Sequence, residues 1–180
     1  MDLFIAAAQN VGAQVVSVQD TAEACQYITE HAGGTILLPK QESLDRAELT
    51  DRLKQQADTR ITFNKEQAEQ ASAGVTGANF GIAETGTIAL ESTDEAVRLA
   101  TTLPTRHFVL LDPKKIVADG QAAIPYVRQL HENSPQTFLA YITGPSRTAD
   151  IERVLTIGVH GPKELHILLL ENLSDDFLES

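Results

Sequence analysis

The sequence predicts a single α/β domain with a largely parallel sheet. Short β-rich runs alternate with helical patterns along the chain, which is the order expected of strands joined by helical crossovers. The later runs, His107 to Leu111 and Leu165 to Leu170, are nearly continuous in apolar residues, as strands covered on both faces are. A length of 180 residues suits one domain with its own core. No repeat, linker or low-complexity tract divides it.

Taken in order, Gln14 to Val18 reads as the first strand. A helix follows over Thr21 to His31, opened by Asp20 or Thr21 and stopped before Gly33-Gly34. Thr35 to Leu38 is a second strand. Leu44, Ala47, Leu49 and Leu53 mark the apolar side of an amphipathic helix, Arg60 to Phe63 is short and extended, and Lys65 to about Ala73 is helical. Thr87 to Leu90, His107 to Leu111, Thr137 to Ile142 and Leu165 to Leu170 are the later strands. Between them lie candidate helices at Asp94 to Ala100, Pro113 to Val117, Ala122 to Glu132 and Thr148 to Val154. Glu171 to Ser180, acidic residues interleaved with Leu173, Phe177 and Leu178, reads as a flexible or docking tail.

Charge and cysteine content narrow the function classes. Fourteen Lys and Arg against 25 Asp and Glu give a formal charge of -11, which repels nucleic-acid phosphates and anionic membranes. A disulfide needs two thiols and a protein-held iron–sulfur cluster typically four ligands, whereas Cys25 is alone, in a helix-like segment that suits a small buried thiol. The apolar runs are too short to cross a bilayer, and no leader pattern is visible. The expectation is a cytoplasmic protein without membrane insertion or nucleic-acid binding.

The stretch from Gly74 to Ser92 concentrates small residues around one carboxylate. Gly74, Gly77, Gly81 and Gly86 leave backbone amides uncovered, Thr76, Asn79, Thr85 and Thr87 add uncharged hydrogen-bonding groups, and Glu84 is the only ionisable side chain between Gly74 and Leu90. A second constellation lies at Thr143 to Asp150, where a strand ends in a tight turn as the predicted helix begins. There Gly144, Ser146 and Arg147 are candidate anion ligands; a capped helix with an exposed arginine reads the same residues structurally. A third glycine turn, Gly158 to Lys163, contributes His160, Gly161 and Lys163.

Familiar signatures are absent. There is no phosphate-binding P-loop, no G-x-G-x-x-G and no G-x-S-x-G. The five histidines are scattered without metal-ligand spacing, so no metal site is expected. His107 and His166 begin predicted strands and read as hydrogen-bonded edge residues, His131 as solvated, and His160 as the catalytic candidate beside Glu84.

Four ordered motifs, G-V-T-G-A-N-F-G-I-A-E-T-G-T (Gly74 to Thr87), L-P-T-R-H (Leu103 to His107), G-P-S-R-T-A-D-I-E (Gly144 to Glu152) and G-V-H-G-P-K-E-L-H (Gly158 to His166), resemble the lactate-utilization protein C family of LUD-domain proteins. The resemblance implies the fold shared by glucosamine-6-phosphate deaminases, ribose-5-phosphate isomerases and CoA transferases. It also implies a part in oxidising L-lactate to pyruvate with an iron–sulfur protein and a further subunit. Family members often carry a longer N-terminal extension, whereas Met1 lies close to the first strand; where many have aspartate, this chain has Asn79.

The leading expectation is therefore a non-redox subunit of an L-lactate oxidation system. It would bind a small carboxylate or phosphate, or a partner, through the Gly74, Gly144 and Gly158 loops, with no covalent cofactor or iron–sulfur cluster of its own and a nucleotide-like cofactor left open. Glu84-Thr85-Gly86 is similar to the glutamate-x-glycine turn of CoA transferases. That similarity keeps open an enzyme of the CoA-transferase or sugar-phosphate-isomerase type using Glu84 as nucleophile or base. A ligand-binding scaffold without chemistry is the third possibility.

Overall fold

The computed structural model describes residues 1–133, 136–149, 155–157, 161–174 and 176–177. It opens on a helix that the sequence reading lacks, α1 (Asp2–Asn10), whose Phe4 and Ala8, one turn apart, are fully buried. Then come β1 (Gln14–Val18), α2 (Thr21–Ala32), β2 (Ile36–Leu37), α3 (Glu42–Arg46), α4 (Leu49–Gln56), β3 (Thr59–Arg60) and α5 (Lys65–Gln70). The middle holds β4 (Ala73–Gly77), β5 (Phe80–Ile82), β6 (Thr87–Glu91), α6 (Glu95–Thr102) and β7 (Arg106–Leu111). A 3-10 turn at Pro113–Lys115 leads to β8 (Ile116–Val117), α7 (Gly120–Asn133), β9 (Leu139–Ile142), β10 (Arg147–Ala149), β11 (Leu155–Ile157) and β12 (Glu164–Leu170).

Local chemistry explains most boundaries. The Asp20 side chain accepts from the Glu23 amide at 2.9 Å to start α2, and Gly33 in the left-handed region (φ 70°) ends it. The single helix expected through Leu44 and Leu53 is two, because Glu48 takes a left-handed conformation (φ 58°) between α3 and α4; Leu44, Leu49 and Leu53 still face the core. Helix α5 begins with a capping box between Asn64 and Gln67 and stops at Gln70, so Ala73 starts a strand rather than ending a helix.

Six strands form one parallel sheet in the order β1-β12-β7-β4-β2-β3, which bears out the predicted parallel α/β class. Side chains alternate between two cores. Val75, Phe108, Leu110 and Leu168 pack under Ala24, Ile28, Leu44 and Leu53 of α2, α3 and α4. Val109, Leu111, Ile167 and Leu169 face the other way, toward Phe4 and Ala8 of α1 and Ile88 of β6. Each such side chain contributes about 1.5–3 kcal/mol on burial, so the two cores hold the layers together.

The second sheet and the turn after β9 depart further from the expectation. A four-stranded sheet, β8-β5-β6-β9, mixes antiparallel and parallel pairs and carries Ile88 into the second core. The predicted helix from Thr148 to Val154 is also corrected: Arg147–Ala149 is strand β10, paired antiparallel with β11, and positions 150–154 lie outside the described residues. Nor are His107 and His166 edge residues. They sit in β7 and β12, internal strands of the sheet, at 1% and 0% exposure.

Candidate functional site

The glycine-rich stretch turns out to be strand, hairpin and strand. Gly74 pairs with Arg106's neighbour His107 across β4 and β7, and a Cβ there would lie 1.9 Å from the Ala100 carbonyl oxygen of α6. Gly86 has φ 65° and a Cβ would meet the Ala8 nitrogen at 2.2 Å, so α1 rests on it. Both positions need glycine because the chain's own helices approach the backbone. The Gly77 amide donates to Gln41 Oε1 at 2.8 Å. Asn79 is fully buried; its Nδ2 donates to the Phe177 carbonyl at 2.8 Å and its Oδ1 accepts from the Glu91 amide at 2.5 Å. Glu84 and Thr85 are exposed on the hairpin between β5 and β6, and the Glu84 amide donates to the Ala118 carbonyl.

From β4 the site continues through hydroxyls and one imidazole. Thr76 Oγ1 and His107 Nε2 lie 2.8 Å apart, both buried. Burial pushes the His107 pKa down to about 3, so the ring is neutral at ordinary pH. A separate chain of hydroxyls joins Thr85 to Thr87 at 2.6 Å and Thr87 to Thr143 at 2.8 Å.

His107 and Thr143 line a cavity of about 570 Å³ where the end of β9 and its following turn meet the start of β7 and β12. Leu103, Ala140, Ile142, Pro162 and Leu165 supply apolar wall, and Thr101, Thr102 and Ser146 supply hydroxyls. Of the residues picked from sequence, the cavity brings together Gly144, Ser146 and Gly161. Thr76 and Thr87 each stand one hydrogen bond behind it. Arg147 is not in its lining: the guanidinium Nη2 donates to the Val11 carbonyl at 2.5 Å, over the turn between α1 and β1. The chain after Ser146 enters strand β10 rather than the helix start that the anion reading needed. His160 lies outside the described residues.

A second crevice, of about 530 Å³, opens at the carboxyl ends of β1, β7 and β12, where ligands of open α/β sheets gather. Asp20, Arg46, Asp112, Lys114, Glu171, Asn172 and Ser174 line it. Asp112 is 1% exposed and accepts from the Lys114 amide at 2.9 Å and the Ser174 amide at 3.3 Å. Lys114 Nζ donates to Asn172 Oδ1 at 2.8 Å. The sequence reading named none of these residues as site candidates. Their signal was there: Asp20, Asp112 and Glu171 each follow within two residues of an apolar run, at the strand ends where a parallel sheet keeps its ligands.

Elsewhere, His166 stacks on Phe108 with centroids 4.6 Å apart. Its Nδ1 is 3.0 Å from Tyr27 Oη and its Nε2 is 3.2 Å from Glu164 Oε2, which also accepts from Arg106 Nε at 3.3 Å. Burial lowers the His166 pKa, against the opposing pull of Glu164. The Cys25 thiol is buried and pushed up to about 11 by burial. Among the described residues no three His, Cys, Asp or Glu side chains converge as a metal site, and no helix is long and apolar enough to cross a membrane.

Comparison with known proteins gives a consistent family. A family model described as LUD domain matches residues 1–170. The lactate utilization protein C of Anoxybacillus flavithermus is 33% identical over 160 residues, covering 86% of this chain and 70% of that protein. The lactate utilization protein C of Bacillus subtilis is 29% identical over 160 residues, covering 82% and 67%. Among solved structures, a DUF162 family protein from Deinococcus radiodurans superposes with a TM-score of 0.67 over 94% of both chains at 20% identity, which shows a shared fold.

Proposed function

The chain belongs to the LUD domain family, and we propose on that premise that it serves lactate utilization as the non-redox member of a system oxidising L-lactate to pyruvate, beside an iron–sulfur protein and a further subunit. The observation that carries this reading is its kinship with proteins named lactate utilization protein C. The thiol inventory supports the division of labour. A cluster held by thiolates needs several, and this stretch offers Cys25 alone, buried and protonated at ordinary pH.

For a small carboxylate, the crevice beyond β1, β7 and β12 is the better host. A 2-hydroxy acid needs a cation for its carboxylate and an acceptor for its hydroxyl; Arg46 and Lys114 supply the first, and Asp112, whose carboxylate has lone pairs beyond the two amides it serves, the second. Arg46 and Lys114 are both exposed, so their removal costs the fold little.

Calorimetric titration with L-lactate and pyruvate tests the site, with Arg46→Ala and Lys114→Ala each expected to weaken binding about tenfold, a loss of ~1.4 kcal/mol. Affinities unchanged from the parent in both variants would move the carboxylate elsewhere. Arg147→Ala, which removes the cation first suggested by the sequence, is expected to leave these titrations unchanged. The role itself is tested by copurification with the cysteine-rich partner and a lactate oxidation assay with and without this chain. Oxidation at the same rate in its absence would end the lactate reading.

A further inference from the structure

The crevice beyond β1, β7 and β12 offers more acids than cations. Asp20, Asp112 and Glu171 line it against Arg46 and Lys114. A ligand that brings a carboxylate alone engages the two cations and gives the acids no donor. Of the three acids, Asp112 is the least able to turn to water instead: it is 1% exposed and part of the wall, whereas Asp20 and Glu171 are exposed.

Two segments fix the Asp112 carboxylate. Its Oδ1 accepts from the Lys114 amide at 2.9 Å, in the turn after β7, and its Oδ2 accepts from the Ser174 amide at 3.3 Å, in the segment after β12. With an amide on each oxygen the group is an acceptor throughout, and two of its roughly four lone-pair sites stay open. The cations are held on other partners. Lys114 Nζ donates at 2.8 Å to Oδ1 of Asn172, a residue in the left-handed region (φ 61°), and Arg46 Nη2 lies 3.5 Å from Ser174 Oγ. Because both partners are neutral, each cation keeps its charge for an incoming carboxylate, while Asp112 keeps lone pairs for whatever stands beside that carboxylate.

We propose that Asp112 makes this crevice select a 2-hydroxy acid over the corresponding 2-oxo acid, an inference that rests on the carboxylate reading of the crevice. The two acids present the same carboxylate to Arg46 and Lys114 and differ only at C2. A hydroxyl there donates to Asp112. A keto oxygen only accepts, so it sets its lone pairs against those of a buried carboxylate that has no proton to give. Sites built to hydrogen-bond a hydroxyl reject the analogue that lacks it. An ammonium at C2 also donates, but it brings a full charge to be dehydrated beside a group already half engaged by amides. Selection of this kind puts the chain on the substrate side of the oxidation, holding the reduced acid and releasing the oxidised one.

The test uses the full chain and a series of acids on one carbon skeleton, L-lactate, propionate, pyruvate and L-alanine, titrated by calorimetry. L-Lactate is expected to bind tightest and pyruvate about tenfold or more weaker, with propionate no weaker than pyruvate because it has no oxygen to face Asp112. Asp112→Asn places an amide at the same point and is expected to bring the affinities for L-lactate and pyruvate to within about twofold of each other, with far-UV circular dichroism reporting whether the variant folds. The series on the parent chain keeps the test decisive if it does not. Pyruvate binding as tightly as L-lactate, L-alanine binding tighter than L-lactate, or undiminished selectivity in folded Asp112→Asn would overturn the proposal. Each of these leaves the carboxylate reading standing wherever Arg46→Ala and Lys114→Ala still weaken the binding. Failure of all four acids to bind the parent would end both.

Discussion

His107 takes no proton in the folded protein until about pH 3, whereas in the unfolded chain it does so near its ordinary 6.5. Between those values the unfolded state binds the extra proton, so the stability this group contributes is whole above pH 6.5 and falls as pH drops toward 3. The slope reaches at most ~1.4 kcal/mol per pH unit. Urea denaturation from pH 7 to 4, with the His107 ring followed by NMR, is expected to show falling stability while the folded ring stays neutral; protonation of the folded ring near pH 6 would refute it. The glycines make a second prediction at this scale. Gly74→Ala and Gly86→Ala drive a Cβ into Ala100 and Ala8 backbone and are each expected to cost about 3 kcal/mol or more in urea denaturation, whereas Gly120→Ala, with open space around its Cβ, stays within about 0.5 kcal/mol. Both glycines were legible as special positions in the sequence, but composition alone does not distinguish a backbone approached by a ligand from one approached by a helix.

At the scale of elements, strands rich in apolar residues and helices with side-chain caps were readable, as Leu165 to Leu170 and the Asp20 cap illustrate. Strand β4 was not. Ala73, Gly74 and Gly77 have little strand propensity, and their places in the middle of the sheet follow from the crossing of α6, a tertiary cause. The same holds for β10, where a Ser/Thr-bearing turn suited a helix start and pairing with β11 decided otherwise. The C-terminal segment shows how one buried amide joins distant elements: Asn79 bridges the Phe177 carbonyl and the Glu91 amide, and the Phe177 ring stacks on Tyr126 of α7 with centroids 3.7 Å apart. Asn79→Asp therefore replaces a donor by a carboxylate facing a carbonyl. It is expected to cost ~2–3 kcal/mol at pH 7. A buried carboxylate so placed has a folded pKa above its unfolded one, so the cost shrinks as pH falls and the group becomes protonated. Denaturation of both proteins at pH 7 and pH 4 checks this; a difference that grows at pH 4 would mean the amide is not donating to Phe177.

For the whole molecule, the order β1-β12-β7-β4-β2-β3 means that the sheet is completed by its last strand, inserted between the first strand and β7. Residues Gln14 to Val18 pair with His166 to Leu170 and with no other strand in the sheet, so β1 has no backbone partner until the C-terminal strand arrives. Both cores depend on it as well, since Leu168 and Leu170 complete one and Leu165, Ile167 and Leu169 the other. Losing five buried leucines and isoleucines at ~1.5–3 kcal/mol each removes as much as the ~5–15 kcal/mol by which domains of this kind are stable. A chain ending before Glu164 is therefore expected to show no cooperative unfolding transition, with hydrogen exchange unprotected throughout. A chain ending at Ser174 keeps all six strands and, among the described residues, loses the contacts of Phe177 and the hydrogen bonds between Ser174 and Asp176, and is expected to unfold cooperatively at a lower urea midpoint with its slope nearly unchanged. Cooperative unfolding of the shorter chain would show that the five-stranded remainder is a folding unit in its own right, and that β12 docks onto a sheet already formed.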